Sequence, residues 1–515
     1  MSAADIILRN ARVITMDDAR PYADFVAITG DRIALVGSGD DAAFITGPDT
    51  RVIDCGGKTV TPGFNDAHLH LFSLVRKLLS IDIGPEAVHS IADIKEAVRR
   101  RAERTPPGTW LSGDGYNEFY LAEKRYPTRY DLDEAAPDHP VVLTHRSLHA
   151  CVLNSLALSL AGIGMDTPEP PGARIERDIV TGEPNGILVE MLGYVRSKVM
   201  PPLSGAEMDE AFALADRYFG SNGITSFQEA TYRNDRDRWR LVRGYRESGT
   251  LRSRVTMMTG PDDWPRFRED GMVTGFGDEH LRLGAVKIMV GESAGQGERT
   301  QEELDKLVLD CHLAGFQVAF HAVTESAVGA AVTALEYADG HLPVAGRRHR
   351  IEHCSECPPY LLERLRRLEA VIVTHPATIY YNGERYLATV DPAQLPWLYR
   401  IRSPLESGLV VAAASDAPLI PVNPLDGIYG GVTRKTAAGQ VLLPHEAVTP
   451  LDAMRLYTVN AAYTTFEEDS KGSIVPGRLA DLVVLSDDPT RVPPEAIKDI
   501  TVEMTIIGGE VVWEA

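Results

Sequence analysis

Cysteine is scarce: five residues in 515, at Cys55, Cys151, Cys311, Cys354 and Cys357. They are scattered rather than framed, and an odd number cannot pair completely. That excludes a disulfide scaffold and points to a reducing cytoplasm. Long apolar runs are missing too. No uninterrupted stretch approaches the roughly 20 residues of a membrane span. The amino-terminal MSAADIILRNARVITMDD has no basic segment followed by an apolar one, so no secretory signal is read there. Positive charge is in deficit, with 52 Lys and Arg against 73 Asp and Glu and a formal net charge of −21. Nucleic acid and anionic membrane surfaces are polyanions that repel such a chain, so neither is expected as a partner. No glycine-rich phosphate-binding turn stands in the right context: Gly295-Gln296-Gly297 follows a strand but lacks the third glycine and its spacing. No internal repeat or low-complexity run stands out. What remains is an ordinary soluble composition, 44% hydrophobic and 24% charged. The chain is too long for one small core, so one large domain with at least one smaller one is expected.

What is present is ordered by position. Asp5 to Ile14, Phe25 to Val36 and Arg51 to Val60 alternate apolar and polar residues, with turn signals at Gly30-Asp31 and Gly56-Gly57, as short strands do. Ala480 to Leu485 and Thr501 to Trp513 read the same way, with Gly508-Gly509 as a hairpin turn. Both chain ends are therefore expected to build one small β-sandwich domain, residues 1–60 with 472–515.

The middle of the chain carries eight short apolar runs, most followed by a helical pattern: Val60 to Asn65, Gly223 to Gln228, Arg254 to Thr259, Leu283 to Met289, Gln317 to His321, His349 to His353, Ala370 to His375 and Leu409 to Ser415. Strand–helix units in that number predict an α/β fold, a distorted (β/α)8 TIM-type barrel over 61–471, with its site at the carboxyl ends of the strands. An open doubly wound sheet is the alternative, and it would want the glycine-rich turn that is missing here. Between the first and second runs lie roughly 150 residues, far more than an ordinary connection. They include the aromatic and polar cluster from Trp110 to Asn117 and a proline-rich stretch from Pro168 to Pro171. An insert over 73–220 is expected to cap the barrel mouth.

The densest chemistry lies in Thr61-Pro62-Gly63-Phe64-Asn65-Asp66-Ala67-His68-Leu69-His70. On an extended strand end, residues i and i+2 face one side. His68 and His70 can then hold one metal ion through neutral imidazole nitrogens; taken alone, the pair is equally two unrelated histidines. Later runs end in further ligand types: Lys287, His321, His353 and, after the last run, Asp416. Each has an ordinary reading by itself, as a surface lysine, a satisfied core histidine or a helix N-cap aspartate. Together, at the carboxyl ends of separate barrel strands, they read as a metal site.

The order PGFNDAHLH, strand-end lysine, FHA, RIEH and SDAP resembles the amidohydrolase superfamily, and within it the branch that contains N-substituted formamide deformylases. DLDEAAPDHPVVLTHRSLHACVLNSLAL resembles that branch's inserted segment, and TVNAAYTTFEEDSKGSIVPGRLADLVVL its return to the β domain, so the resemblance covers nearly the whole chain. It implies a metal-dependent hydrolase of an amide-type C–N bond in a small molecule: an N-substituted amide, a formamide or a carbamate-like compound. The implied cofactor is zinc, two ions per chain, with His68 and His70 on the more buried ion and His321 and His353 on the more exposed one. Lys287 is implied to be carboxylated and to bridge them, since a protonated lysine cannot ligate whereas its carbamate offers two anionic oxygens. Asp416 is implied both as a ligand and as the shuttle that takes a proton from metal-activated water and hands it to the leaving nitrogen. In the branch an Asp-Gly-Ser element follows the lysine; here Gly291 and Glu292 hold its first two positions, which predicts altered substrate recognition, with Glu292 as a candidate contact to a substrate amine.

Weaker candidates for substrate contacts are Trp110, Tyr116, His145, His149 and Glu190 in the insert, and His375 at the end of the seventh run with Tyr380 and Tyr381 beyond it. Cys354-Ser355-Glu356-Cys357 is a single CxxC without a second pair and reads as structural. A second enzyme reading is a deaminase of an amine-bearing heterocycle using one metal ion. A non-catalytic binding protein on the same fold predicts missing ligands, and all six are present. The expected partner is a small-molecule substrate; oligomeric state stays open, a homo-oligomer included.

Overall fold

In the computed structural model, which describes residues 3–38, 45–291 and 299–515, the apolar runs become eight parallel strands. They are β1 (Phe64–Leu69), β2 (Ile224–Glu229), β3 (Arg254–Thr259), β4 (Leu281–Met289), β5 (Val318–Ala322), β6 (Arg350–His353), β7 (Val371–Thr374) and β8 (Val411–Ala413). Each pairs with its neighbour in chain order, from β1 through to β8. Every residue of β1, β2, β3, β6, β7 and β8 is buried. Strands covered on both faces by side chains and helices need no polar face, which is why these segments read as runs rather than alternations.

The helices that follow the strands are amphipathic and locally specified. Gln301–Leu313 opens on a capping box, Thr300 with Glu303, and buries Leu304, Val308, Cys311 and His312, the spacing of one helical face. Pro359–Arg367 starts on proline, buries Leu361, Leu362 and Leu365, and ends on Arg364, Arg366 and Arg367, where cations meet the negative end of the helix dipole.

The two chain ends form two further sheets. One runs Arg32–Gly37, Phe25–Thr29, Ile6–Arg9, Arg51–Asp54; the other Glu510–Glu514, Val502–Ile507, Leu482–Leu485, Thr59–Pro62, Arg12–Ile14, Tyr22–Ala23. Leu8, Val26 and Ile28 from the first share a buried core with Val60, Leu482, Val484 and Ile506 from the second, so the sheets pack face to face. The predicted hairpin turn holds Gly508 at φ +55° and Gly509 at φ +79°, the left-handed pair that a two-residue turn demands. The run read as one strand, Val60 to Asn65, is two. Thr59–Pro62 belongs to the end sheet and β1 to the barrel, and the chain changes sheets at Gly63. A Cβ there would lie 2.1 Å from Thr225 Oγ1, so only glycine fits the crossing.

Barrel and end sheets make one compact unit, and Phe72–Leu214 makes a second. The second unit has its own six-stranded sheet: Arg174–Arg177, Pro184–Val189, Ala150–Leu153, Val141–His145, Leu111–Tyr116 and Ile81–Asp82. Ile91, Ile94 and Val98 of the helix Ile91–Ala102 pack with Leu111, Val141 and Leu143 in one of its cores. Among the described residues no helix is long and apolar enough to cross a membrane, and all five cysteines are buried free thiols.

Candidate metal centre

The carboxyl ends of β1, β4, β5 and β6 and the turn after β8 bring the candidate ligands together. β1 delivers two histidines from one strand end, His68 fully buried and His70 partly exposed. The turn after β8 is stitched onto β1: the Asp416 amide donates to His68 O at 2.8 Å, the His70 amide to Ala417 O at 2.8 Å, and the Ser415 amide to the Asp66 carboxylate at 3.2 Å. This seam sets Asp416 Oδ1 3.2 Å from His70 Nε2 and 3.6 Å from His68 Nε2. Lys287, buried on β4, places Nζ 3.3 Å from the same His68 nitrogen. His353 closes β6, with its ring centroid 4.4 Å from that of His321 on β5 and 5.0 Å from that of His68. Donor atoms of His68, His70 and Asp416 lie within 4.8 Å of one another, as do those of His68, His353 and His375. His321 stands outside both groups.

His353 and Asp416 both occupy left-handed backbone, at φ +69° and +60°. For residues with a Cβ this costs about 1–3 kcal/mol each, and strain of this kind gathers at functional sites.

Electrostatics and hydrogen bonding favour neutral imidazoles. Burial first, then the Lys287 cation, holds His68 well below the usual histidine range and His321 at about 3. Burial and the neighbouring His321 do the same to His353. Burial opposes ionisation of Asp416 as well, but the hydrogen bond with His70 and the surrounding histidines outweigh it, and the carboxyl lies well below the carboxylate range. Lys287 is pushed down to about 8 by burial, against the pull of Glu352 and Asp416. His375 has Nδ1 3.2 Å from Ala414 O and Nε2 2.8 Å from His353 Nδ1. The Ala414 carbonyl only accepts, so His375 carries its proton on Nδ1 and His353 donates from Nδ1. His353 Nε2 is then a bare lone pair, buried and without a hydrogen-bond partner. An orphaned ring nitrogen beside neutral imidazoles and an ionised carboxylate is a donor set that fits a divalent transition metal.

Among the described residues, the other sequence candidates have partners of their own in the structure. Tyr380 packs between Tyr381 and Tyr429, and Tyr381 donates to Asp426 at 2.7 Å. Trp110, Tyr116, His145, His149 and Glu190 belong to the second unit. There Trp110 packs on a core cluster, and Tyr116 is fully buried against Tyr126 and His145. His145 pairs with Glu118 at 2.9 Å, and His149 pairs with Glu190 at 2.8 Å. Glu292 lies outside the described residues. Cys354 and Cys357 are buried, and the hydrogen bond to Cys357, then burial, raises the Cys354 thiol well above its usual range, so Cys354 is no reactive thiolate.

Residues around the ligands escaped the sequence reading. Glu352 reaches across the barrel to hydrogen-bond His68 Nδ1. Thr231 Oγ1 lies 2.9 Å from His70 Nδ1, and Glu229 accepts from the Leu71 and Thr231 amides. Asp66, pushed up to about 7 by burial, ties the His68 and Ser415 amides together. The one signal available was position, since Asp66 and Glu352 sit inside the two ligand motifs.

Comparison with known proteins gives the family and the fold. The model of the amidohydrolase family matches residues 51–513. An N-substituted formamide deformylase of Arthrobacter pascens is 30% identical, over 99% of this chain and 98% of that protein. A crystal structure of an uncharacterised metal-dependent hydrolase of Pyrococcus furiosus superposes with a TM-score of 0.74 at 25% identity, covering 94% of this chain and all of that one. The zinc complex of atrazine chlorohydrolase TrzN from Arthrobacter aurescens TC1 shares the fold at 14% identity and a TM-score of 0.56, over 99% of this chain and 95% of that one. The chain belongs to the amidohydrolase family, as a metal-dependent hydrolase built on its barrel.

Proposed function

We propose that this chain hydrolyses an amide-type C–N bond, other than a peptide bond, in a small N-substituted amide, formamide or carbamate-like molecule, with zinc as its metal. The observation that carries the reading is the convergence of His68, His70, Lys287, His321, His353 and Asp416 on one set of strand ends, in a chain similar along its whole length to a formamide deformylase. In this reading His68 and His70 hold one ion and His321 and His353 a second. Lys287, as its carbamate, would supply further ligand oxygens. Depression of its amine to about 8 favours the neutral form that carboxylation requires.

A bound zinc ion supplies a water acidic enough to lose its proton near neutral pH. The rest is the work of the chain. Asp416, ionised and facing both histidines of β1, accepts the proton of the attacking water. Water oxygen bonds the carbonyl carbon, the C–N bond breaks, and Asp416 returns the proton to the leaving nitrogen; the amine departs and the carboxylic acid gives its remaining proton to solvent. Glu352 and Thr231 keep the two imidazoles of β1 aimed at the centre. The five buried free thiols are compatible with a reducing cytoplasm.

The test is a screen of the zinc-loaded protein against a panel of N-formyl and N-acyl amines, with released amine measured alongside zinc content. Amine release at about two zinc ions per chain is expected. Ammonia release from amino-heterocycles, at about one zinc per chain and with Lys287 unmodified by mass spectrometry, would replace this reading by the deaminase one.

A further inference from the structure

Arg350 and Glu352, both inward-facing on β6, are buried to 1% and 0% exposure and stand outside the ligand set. Arg350 Nε donates to Glu352 Oε1 at 2.7 Å and Nη2 to Oε2 at 3.0 Å. The same guanidinium donates to Ala67 O at 2.8 Å, and to Gln228 Oε1 on β2. Gln228 Nε2 in turn donates to Thr464 Oγ1 at 2.8 Å and Ala461 O at 3.1 Å. A buried fork of this kind donates to both carboxylate oxygens, which are left to accept. The remaining capacity of Glu352 Oε2 is spent on His68 Nδ1.

We infer that Glu352, clamped by Arg350, is the positioning residue that makes His68 a metal ligand. An acceptor-only carboxylate at Nδ1 forces that nitrogen to carry the imidazole proton. Nε2 is then left bare, and Nε2 is the nitrogen that faces Lys287 Nζ and Asp416 Oδ1. Outer partners that fix the tautomer of a ligating histidine set metal affinity. The inference rests on the proposed metal-centre reading and adds to it the residue pair that pre-sets one ligand before metal arrives. Rebuilding Glu352 as glutamine keeps the shape but not the fork. Whichever way the amide turns, its NH2 confronts one of the two Arg350 donors, so the grip on His68 loosens.

The experiment measures zinc affinity by chelator competition in the intact chain and in Glu352→Gln and His68→Ala, with thermal unfolding of each zinc-free protein. In the zinc-free intact chain, 15N shifts of the His68 ring are also recorded. Expected are a bare Nε2 with a protonated Nδ1 at His68, and zinc binding weaker by about 10–100-fold in Glu352→Gln at an unfolding temperature close to that of the intact chain. A proton on Nε2, or a folded Glu352→Gln that binds zinc within twofold of the intact chain, overturns the inference. Should Glu352→Gln fail to fold, the tautomer of the intact chain decides. If His68→Ala binds zinc as tightly as the intact chain, the metal-centre reading falls and the inference with it. Weakened zinc binding in Glu352→Gln alongside failure of the whole amide panel refutes the substrate class and supports the inference.

Discussion

At Asp416 the main chain and the side chain have separate duties. The amide of residue 416 donates to His68 O whatever side chain it carries, while the carboxylate alone faces the imidazoles. Asp416→Asn is therefore expected to fold and retain zinc, while kcat for amide hydrolysis falls by about 10²–10⁴-fold, the usual worth of a positioned acid–base group. Near-normal turnover in steady-state assays would reject the shuttle role. Lys287 is the opposite case, with its whole value in one buried nitrogen. Lys287→Ala should lose zinc and activity together, and added formate or acetate should restore part of both. A variant that keeps full zinc occupancy and gains nothing from carboxylates would remove the bridging carbamate. These residues were legible because each lies near or just past the end of its own apolar run. Glu352 was not, although it stands next to His353 in RIEH. Its partner His68 is 284 positions away, and nothing local distinguishes an inward carboxylate from one on the outside of a strand.

Among the elements, β5 and β6 are tied below the site by a chain of histidines. Val318 N–H donates to His349 Nδ1 at 2.9 Å, so His349 carries its proton on Nε2 and gives it to His312 Nδ1 at 3.1 Å; His312 Nε2 then donates to Leu342 O at 3.0 Å. No acceptor is left for a second proton on His349. Burial, then the neighbouring His312 and Arg347, hold it at about 3. Its folded pKa is depressed below the unfolded value of about 6.5. The stability it contributes is therefore complete above pH 6.5 and is lost as pH falls from there towards 3, where the unfolded state binds the extra proton. His349→Asn keeps an acceptor for the Val318 amide without the titration. Urea unfolding between pH 6.5 and 4 should show a slope shallower than the parent's by up to about 1.4 kcal/mol per pH unit; equal slopes would place the acid sensitivity elsewhere. Element positions were well announced in the barrel because its strands are buried on both faces and flanked by helical patterns. The change of sheets at Gly63 was hidden, since an apolar run does not declare which sheet it enters. The six-stranded sheet of the second unit went unread for a related reason: its central strands, such as Val141–His145 and Ala150–Leu153, are covered on both sides and show no alternation.

For the molecule as a whole, a metal gripped by several strand ends is a ligand of the folded state alone. Zinc at a hundred times its dissociation constant should add about 2.7 kcal/mol to unfolding. Scanning calorimetry of chelator-treated and zinc-restored protein should show the midpoint rise on restoration. An unchanged midpoint at stoichiometric zinc would mean that the ion sits off the folded framework. The end sheets carry a different consequence, one of timing. Thr59–Pro62 pairs with Arg12–Ile14 on one side and with Leu482–Leu485 on the other. The first partner precedes it on the ribosome, and the second emerges after the entire barrel. At ordinary synthesis rates that wait is about 20–80 s, during which the strand offers an open edge to anything that passes. The strands Arg12–Ile14 and Thr59–Pro62 cannot therefore mature on their own: their sheet is finished only by strands that lie beyond the barrel in the chain.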